Sequence, residues 1–233
     1  MLIRRTFAAV KRFLPGFLAV RARALATAVL TPMLFSYETG HFRSSLLSMA
    51  VDRRGNPIPW YAYPAIDHLE SLDFSDCSVL EIGAGQSTLW WAARSREVLS
   101  LEADQSWFER LQGRMPSNAI LRQVSIDLSV LPPELSGREF DIVVVDGCDR
   151  FVASGLAVRV LKPGGAVIVD NAEGYWGPEG TYPIMDLFRS EGFQRVDFYG
   201  YSPGVIGRQC TSIFFRPDSF MFGGRHNPRR LAG

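Results

Sequence analysis

The sequence has little of what a zinc site, a disulfide framework or a nucleic-acid surface requires. Its 233 residues include three cysteines and three histidines, and the widely spaced Cys77, Cys148 and Cys210 form no CxxC pair. A structural zinc site needs four grouped Cys or His ligands, and an odd number of scattered thiols is typical of a reducing compartment. The formal net charge is only +1. We therefore expect a cytoplasmic protein with no nucleic-acid partner.

The first 37 residues lack acid altogether. They carry six basic residues, whereas in the rest of the chain acids outnumber bases 24 to 19. On a helical wheel, Ile3, Phe7, Val10 and Leu14 share one face, and basic residues occupy another. This pattern is typical of a basic amphipathic segment that lies on an anionic membrane surface. The alternative is an arm that packs on the domain or on a second subunit, as in a homodimer.

The N-terminal region also lacks a long uninterrupted apolar run. Residues 25–35 form an apolar stretch of 11 residues that contains Pro32, and about 20 residues are needed to span a bilayer. Arg4 and Arg5 resemble the start of an export signal, but Arg21 and Arg23 fall where such a signal is neutral. The sequence predicts peripheral attachment to the inner membrane face through residues 1 to about 30, without a spanning helix.

Beyond the arm, short apolar runs alternate with helical patterns. The predicted strands are 78–82, 97–102, 119–124, 141–146, 166–170, 195–199 and 210–215, and the predicted helices lie near 60–72, 87–94, 105–113, 150–160 and 182–191. This alternation predicts an α/β fold with a doubly wound, mostly parallel seven-stranded sheet. No helix separates the last two strands, so they should form a terminal antiparallel hairpin. The expected domains are 1–59 (arm and linker), 60–216 (the α/β domain) and 217–233 (a flexible tail).

A glycine turn follows the first predicted strand. Residues 79–88 read VLEIGAGQST, in which an apolar run stops near an acid and two glycines precede a helix. Glycine allows a sharp turn and a close approach of a ligand to the backbone, and the helix start offers unpaired N–H groups. The predicted cofactor-binding residues are Glu81, Gly83, Gly85, Ser87 and Thr88. Because position 88 is Thr and not Gly, the dinucleotide pattern G-x-G-x-x-G is incomplete, which argues against NAD as the cofactor.

Acidic residues follow the second and third predicted strands. Glu102 lies about 20 residues beyond the glycine turn, the offset at which an acid accepts the hydroxyls of a ribose. Asp104, two residues later, is expected to cap the next helix. Asp127 ends the third strand, where a carboxylate can accept the exocyclic amine of adenine, although a loop Asp that starts a turn is an alternative.

Three further polar residues follow the fourth and fifth predicted strands. Asp146 emerges from a fully apolar strand beside the glycine turn, and Asp170 and Asn171 end the next strand. Parallel strands of an open sheet place ligands at their carboxyl ends, so these three side chains should converge and act as catalytic residues, with Asp146 also near the cofactor. Two carboxylates and an amide suit Mg²⁺. The alternative is a hydrogen-bonded trio without metal.

Taken in order, residues 81–85, Glu102, residues 140–147 and residues 161–165 resemble the motifs of class I S-adenosylmethionine (SAM)-dependent methyltransferases. The Asp146, Asp170 and Asn171 set is similar to the magnesium site of catechol-type O-methyltransferases. Residues 56–64 resemble a small, uncharacterised bacterial branch, part of which is linked to glycan assembly.

The resemblance covers residues 60–216 and implies a SAM cofactor and O-methylation of a small molecule or a sugar or glycan. Tyr61, Tyr63 and Trp176 are candidates to line the acceptor pocket. Two alternatives stay open: an aminopropyl-type transferase with the same fold, and a non-catalytic, membrane-associated SAM-fold binding module.

Overall fold

The computed structural model describes residues 16–125, 132–147, 149–174 and 182–223. The strands are β1 (Ser78–Ile82), β2 (Glu97–Glu102), β3 (Ala119–Gln123), β4 (Phe140–Val145), β5 (Leu161–Asp170), β6 (Gln194–Tyr201) and β7 (Arg208–Phe215). The helices are α1 (Gly16–Glu38), α2 (His41–Leu47), α3 (Tyr63–Glu70), α4 (Gln86–Ala92), α5 (Gln105–Gln112), α6 (Arg150–Val160), α7 (Tyr182–Ser190) and α8 (Phe220–Gly223), with a 3₁₀ turn at Pro133–Leu135.

The strands form one seven-stranded sheet in the order β3-β2-β1-β4-β5-β7-β6. The first five of these are mutually parallel, and β7 runs antiparallel to both β5 and β6. The predicted fold class, including the terminal hairpin, is confirmed. The winding reverses between β1 and β4, so the sheet has a crevice outside the carboxyl ends of these two strands, where ligands bind in open α/β sheets.

The sheet separates two apolar layers. On one face, Leu80 and Val143 pack with Leu156 of α6 and Phe188 of α7. On the other face, the apolar layer includes Trp91 of α4 and further side chains from α3, β1, β4 and β5. Because β1 and most of β4 are covered on both sides, apolar residues stand at consecutive positions, as in residues 142–145 of β4.

Strand β5 begins earlier than the sequence predicts. The segment from Leu161 to Gly165, expected as a turn before the strand, belongs to the strand itself. Its pairing with β4 shifts between Phe140↔Leu161 and Ile142↔Ala166, so extra residues bulge out of the ladder. Gly164 takes a φ of +74°, a conformation that glycine adopts without strain, which is why the sequence looks like a turn.

Parts of the predicted linker and tail pack on the domain. Ala50 and Ile58, which precede the expected boundary at residue 60, lie in the apolar layer with α3 and α4. The Ser44 hydroxyl of α2 donates to the Val51 carbonyl and accepts from the Val51 N–H, which fixes this segment. Near the other end, Met221 of α8 is also buried in that layer.

Helix α1 is 23 residues long and continues through Pro32, and none of its residues is buried. Among the described residues it is the one helix that is long and apolar enough to cross a membrane, judged by length and composition. The expectation that this region is too short to span therefore needs correction. The uninterrupted apolar run is short, but the helix extends beyond it in both directions. The predicted apolar face of Ile3, Phe7, Val10 and Leu14 lies outside the described residues.

A polar cluster ties the amino ends of β1, β4 and β5 together. Asp141 Oδ2 accepts hydrogen bonds from the Ser78 N–H and the Ser78 hydroxyl, both at 2.8 Å, and from Lys162 Nζ at 2.8 Å. Partial burial acts to raise the pKa of Asp141, but these donors favour the charged form more and leave the pKa below its ordinary value. This cluster is structural, because it lies at the edge opposite to the strand ends that carry the predicted site.

We predict that Asp141→Ala lowers the free energy of unfolding by about 1–3 kcal/mol at pH 7, since it leaves Ser78 and Lys162 without their charged acceptor. A lowered carboxyl pKa gives stability that is present above about pH 4 and is lost as the pH falls through the folded value. The difference should therefore shrink below pH 4. Urea unfolding at pH 7 and pH 3.5 measures it. Asp186→Ala, which breaks an exposed pair with Arg189, is the control and should change stability by less than about 1 kcal/mol. Equal losses in the two variants would contradict the assignment.

Candidate functional site

A cavity of about 840 Å³ opens at the carboxyl edge of the sheet. This volume lies within the range of ligand cavities, about 300–1,000 Å³. Its wall combines the glycine turn, the ends of β2, β4 and β5, the start of α6, and the segment that joins β6 to β7. The cavity therefore lies where the strand order predicts a ligand crevice.

The glycine turn brings the end of β1 against the end of β4. Gly83 has a φ of +98°, and a Cβ on it would lie 2.7 Å from the backbone of Asp146 and Gly147. Only glycine satisfies both the conformation and this approach. Gly83, Gly85 and Ser87 all line the cavity, as the sequence predicts for residues near a cofactor.

Glu81 and Thr88 lie beneath the turn rather than at the cavity wall. The Glu81 side chain is fully buried, and its carboxylate accepts hydrogen bonds from the hydroxyls of Thr88 and Ser100. Burial raises the pKa of Glu81 to about 7, although hydrogen bonds from neighbouring hydroxyls oppose the shift. This position suits a supporting role for the turn, and direct contact of Glu81 or Thr88 with a cofactor stays a prediction.

Glu102 connects the end of β2 to the glycine turn. Its two carboxylate oxygens accept the N–H groups of Ala84 at 2.9 Å and Asp104 at 2.8 Å, and the residue lines the cavity. Each carboxylate oxygen has a second lone pair with which to accept a ligand hydroxyl. Asp104 caps α5 by accepting from the Trp107 N–H at 2.7 Å, so its predicted structural role is confirmed. Trp107 also lines the cavity, and its indole donates to the Ala84 carbonyl.

Asp146, Asp170 and Asn171 do come together, around a fourth residue. Arg150, the first residue of α6, has a side chain only 7% exposed. Its guanidinium donates to Asp146 Oδ1 at 3.1 Å, Asn171 Oδ1 at 3.0 Å, the Asp170 carbonyl at 2.9 Å and the Gly147 carbonyl at 3.0 Å. One cation thus fixes the ends of two neighbouring strands.

Both carboxyl groups of this cluster have raised pKa values. Burial raises the pKa of Asp146 to about 6, because the nearby charge of Arg150 offsets only part of the desolvation, and the charge of Glu102 adds to the rise. Burial and the charge of Asp146 raise the pKa of Asp170 well above its ordinary value. Asp170 Oδ1 accepts a hydrogen bond from the Thr211 hydroxyl at 2.5 Å, and Asp170 Oδ2 lies 3.5 Å from Gln209 Nε2.

These residues do not fit the predicted Mg²⁺ site. The guanidinium of Arg150 already supplies a positive charge against Asp146 and Asn171, and the oxygens of Asp170 face Thr211 and Gln209. Within residues 16–125, 132–147, 149–174 and 182–223, no group of three His, Cys, Asp or Glu residues is arranged to hold a metal. The side chains of Asp146 and Asn171 are instead hydrogen-bonded to Arg150, so Mg²⁺ is not supported at this cluster.

Of the predicted acceptor residues, Tyr61 and Tyr63 belong to the core. Tyr61 is fully buried, with its hydroxyl 3.3 Å from the indole nitrogen of Trp91, and Tyr63 places its hydroxyl 3.5 Å from His41 Nδ1. Neither lines the cavity, whereas their neighbour Trp60 does. The structure thus does not place Tyr61 and Tyr63 at the cavity wall: Trp60 and Tyr61 lie in a bend before α3, which begins at Tyr63, and neighbouring side chains in a bend point in different directions. Asp127 and Trp176 lie outside the described residues.

Several cavity residues carry no recognisable sequence signal. Arg150 follows Asp146 by four residues at a helix start, which is the only pattern that hints at their pairing. Gln86 and Ser202 are buried at the cavity wall, and within the described part of the chain Gln86 Nε2 and Ser202 Oγ have no hydrogen-bond partner. A buried polar atom without a partner is unfavourable, so both atoms are suited to bind a ligand in the cavity.

Comparison with known proteins identifies the fold. No protein-family model and no curated protein matches the chain. Among solved structures, the O-methyltransferase TomG from Streptomyces achromogenes, crystallised with SAM, is 19% identical; the match covers 78% of this chain and 88% of that one, with a TM-score of 0.53. A putative hemolysin from Streptococcus thermophilus is 13% identical over 73% of this chain and 68% of that one, with a TM-score of 0.51.

This chain has the fold of the class I methyltransferases. At such low identity the likeness concerns the fold, and one fold hosts several functions. The activity must therefore be argued from the cavity and its residues.

The raised pKa of Asp146 predicts a gain of stability when its charge is removed. A carboxyl whose pKa rises from about 3.9 to about 6 on folding destabilises the fold as the pH rises through that interval, and the loss persists above it. Asp146→Asn, which mimics the protonated form, should be about 1–3 kcal/mol more stable than the parent at pH 7.5. The advantage should vanish near pH 4.

Chemical unfolding across this pH range measures the effect. Asp186→Asn, at an exposed ion pair, controls for a general effect of removing one acid. A loss of stability in Asp146→Asn at pH 7.5 would mean that the ion pair with Arg150 outweighs the burial of the charge.

Proposed function

We propose that this protein is a SAM-dependent methyltransferase that methylates an oxygen of a small molecule or of a sugar or glycan. The observation that carries the proposal is that Glu102, the glycine turn and the carboxyl groups of Asp146 and Asp170 all line one cavity. Such a cavity can hold a nucleoside beside an acceptor. The fold shared with the SAM complex of TomG supports the cofactor.

The cofactor half lies over β1 and β2. We expect the ribose hydroxyls to bind Glu102, each of whose oxygens accepts only one N–H group of the chain, and the adenine to lie near Trp107. Asp146 then lies on the side of the sulfonium, where a negative charge is favourable. Gln86 Nε2 is a candidate donor to the carboxylate of the methionine part.

The acceptor half lies over β5 and β7. In the proposed reaction, the acceptor hydroxyl oxygen attacks the methyl carbon in line with the carbon–sulfur bond, which breaks and leaves a neutral thioether. The hydroxyl proton passes to Asp146 or Asp170. Carboxyl groups with raised pKa values are better proton acceptors than ordinary ones, and Arg150 keeps them in position. Otherwise the protein acts by orienting the reactants and excluding water.

Two alternative functions predict different ligand behaviour for the same cavity. An aminopropyl-type transferase uses decarboxylated SAM, so it should bind that compound more tightly than SAM. A non-catalytic binding module would bind SAM without consuming it. Titration with both compounds and product analysis after incubation with acceptor mixtures separate the three.

We predict that the parent protein binds SAM, and that Glu102→Ala weakens binding by about 1–3 kcal/mol, the effect of losing a charged hydrogen-bond acceptor. Glu97→Ala is the matched control. Glu97 begins the strand that Glu102 ends, is partly exposed and pairs with Arg96 and Arg138 far from the cavity. Isothermal titration calorimetry on the three proteins measures the difference, with thermal unfolding as a check on folding.

No SAM binding by the folded parent protein would remove the proposed function. An equal loss in Glu97→Ala and Glu102→Ala would mean that the effect is general to the strand and not specific to the ribose.

A further inference from the structure

The position of the acceptor half indicates from which side of the molecule the acceptor enters the cavity. This inference rests on the proposed function. Along the sheet edge the cavity runs from Glu102 at the end of β2, past Asp146 and Asp170, to Gln209 in β7 and Ser202 after β6. The cofactor fills the β1–β2 end. The acceptor must therefore enter near the β6–β7 connection.

The β6–β7 connection, residues 202–207, forms this end of the cavity wall through Ser202 and Val205. Two hydrogen bonds hold it. Trp60 Nε1 donates to the Pro203 carbonyl at 2.8 Å, and the Gly204 N–H donates to His41 Nδ1 at 3.2 Å. Gly204 lies so close to α2 that a Cβ on it would be 2.6 Å from the Ser45 nitrogen. The connection is thus fixed against α2.

Most of the large exposed side chains of these two packed segments are apolar, and Arg43 is the charged exception. Ile206 is 94% exposed and Val205 39%, while in α2 the exposed fractions are 68% for Phe42, 72% for Leu46 and 47% for Leu47. Single exposed apolar residues are common, but a cluster of large ones beside a ligand cavity marks an interaction surface. We call these five residues the apolar rim.

Helix α1 leads directly into the apolar rim. The ring of Phe35, near its end, lies 5.5 Å from the ring of His41 and 6.1 Å from that of Tyr201. At 1.5 Å per residue, the 23 residues of α1 extend about 35 Å, comparable with the roughly 30 Å hydrocarbon thickness of a bilayer.

The apolar residues of α1 surround the helix. At 100° per residue, its exposed large apolar side chains fall on every side, as the list Phe17, Leu18, Val20, Leu25, Val29, Met33, Leu34 and Tyr37 shows. A partner protein covers one face of a helix, whereas lipid surrounds it. Arg21 and Arg23 lie near the start of α1, and the preceding sequence adds four basic residues and no acid. This charge is complementary to anionic lipid headgroups.

We propose that α1 and the apolar rim dock in an anionic lipid bilayer, and that the cavity accepts a lipid-linked molecule whose polar group carries the methylated oxygen. The rim places the acceptor end of the cavity at the lipid surface. The apolar chain of the acceptor stays in the bilayer while its polar group enters between Ser202 and Asp170. Small water-soluble acceptors need no such surface.

Vesicle flotation with the full chain tests the docking. The protein should float with vesicles of phosphatidylcholine and phosphatidylglycerol and bind pure phosphatidylcholine less, with binding weakened by salt. The double variant Phe42→Ser, Ile206→Ser should reduce the partition coefficient about tenfold or more, since it removes two large apolar side chains from lipid. Ile120→Ser is the matched control, because Ile120 is a 40% exposed residue of β3, the edge strand farthest from the rim.

Calorimetric SAM titration of the same proteins separates this proposal from the proposed function. Intact SAM binding in every variant, with vesicle binding reduced about tenfold or more only in the double variant, supports the docking. A folded parent protein that binds SAM but ignores both vesicles overturns it. So does a dimer, detected by light scattering, that the double variant dissociates, because a second copy then covers the rim. Vesicle binding without SAM binding overturns the proposed function and the acceptor class, and leaves the docking intact.

A labelling experiment tests the acceptor class directly. The protein is incubated with methyl-labelled SAM and either a total cellular lipid extract in mixed micelles or the matching water-soluble extract. Label should pass into the organic phase of the lipid sample and should depend on Asp146, as judged with Asp146→Asn. Label that enters only the water-soluble sample would overturn the lipid-linked acceptor.

Discussion

The candidate site depends on one buried guanidinium. Arg150 is held among the ends of β4 and β5 and donates to four oxygens, two of them backbone carbonyls. Two acids whose pKa values are already raised by burial would repel each other if both were charged. The cation makes their proximity tolerable, because a buried charge persists only when it is paired.

The glycine turn is the second constraint on the cavity. Gly83 lets the end of β1 touch the backbone that follows β4, and Glu102 then closes the turn from the β2 side by accepting the Ala84 N–H. The cavity wall is thus built from backbone that is fixed by sheet pairing and by side chains that are buried below it. Such support keeps a binding site preorganised, so little ordering is required when a ligand enters.

Direct contacts connect the N-terminal region to the wall of the cavity. α1 contacts the body through the ring of Phe35, α2 packs against the segment that lines the acceptor end, and His41 joins the two by accepting the Gly204 N–H. An exposed apolar helix is unfavourable in water. Because α1 lies beside the acceptor end of the cavity, the hypothesis that it binds a membrane also bears on which acceptor the cavity receives.

The sequence by itself determined the order of strands and helices, the terminal hairpin, the Gly83 turn and the acids that end β2, β4 and β5. These features are local, since they follow from apolar periodicity and from residues that stop or turn a strand. The tertiary structure decided what those acids contact. Arg150 reaches Asn171, 21 residues away, and Thr211 reaches Asp170 across an antiparallel pair. It also decided that Tyr61 faces the core while Trp60 faces the cavity. Contacts between distant segments depend on sheet register and helix rotation, for which a single sequence carries no local signal.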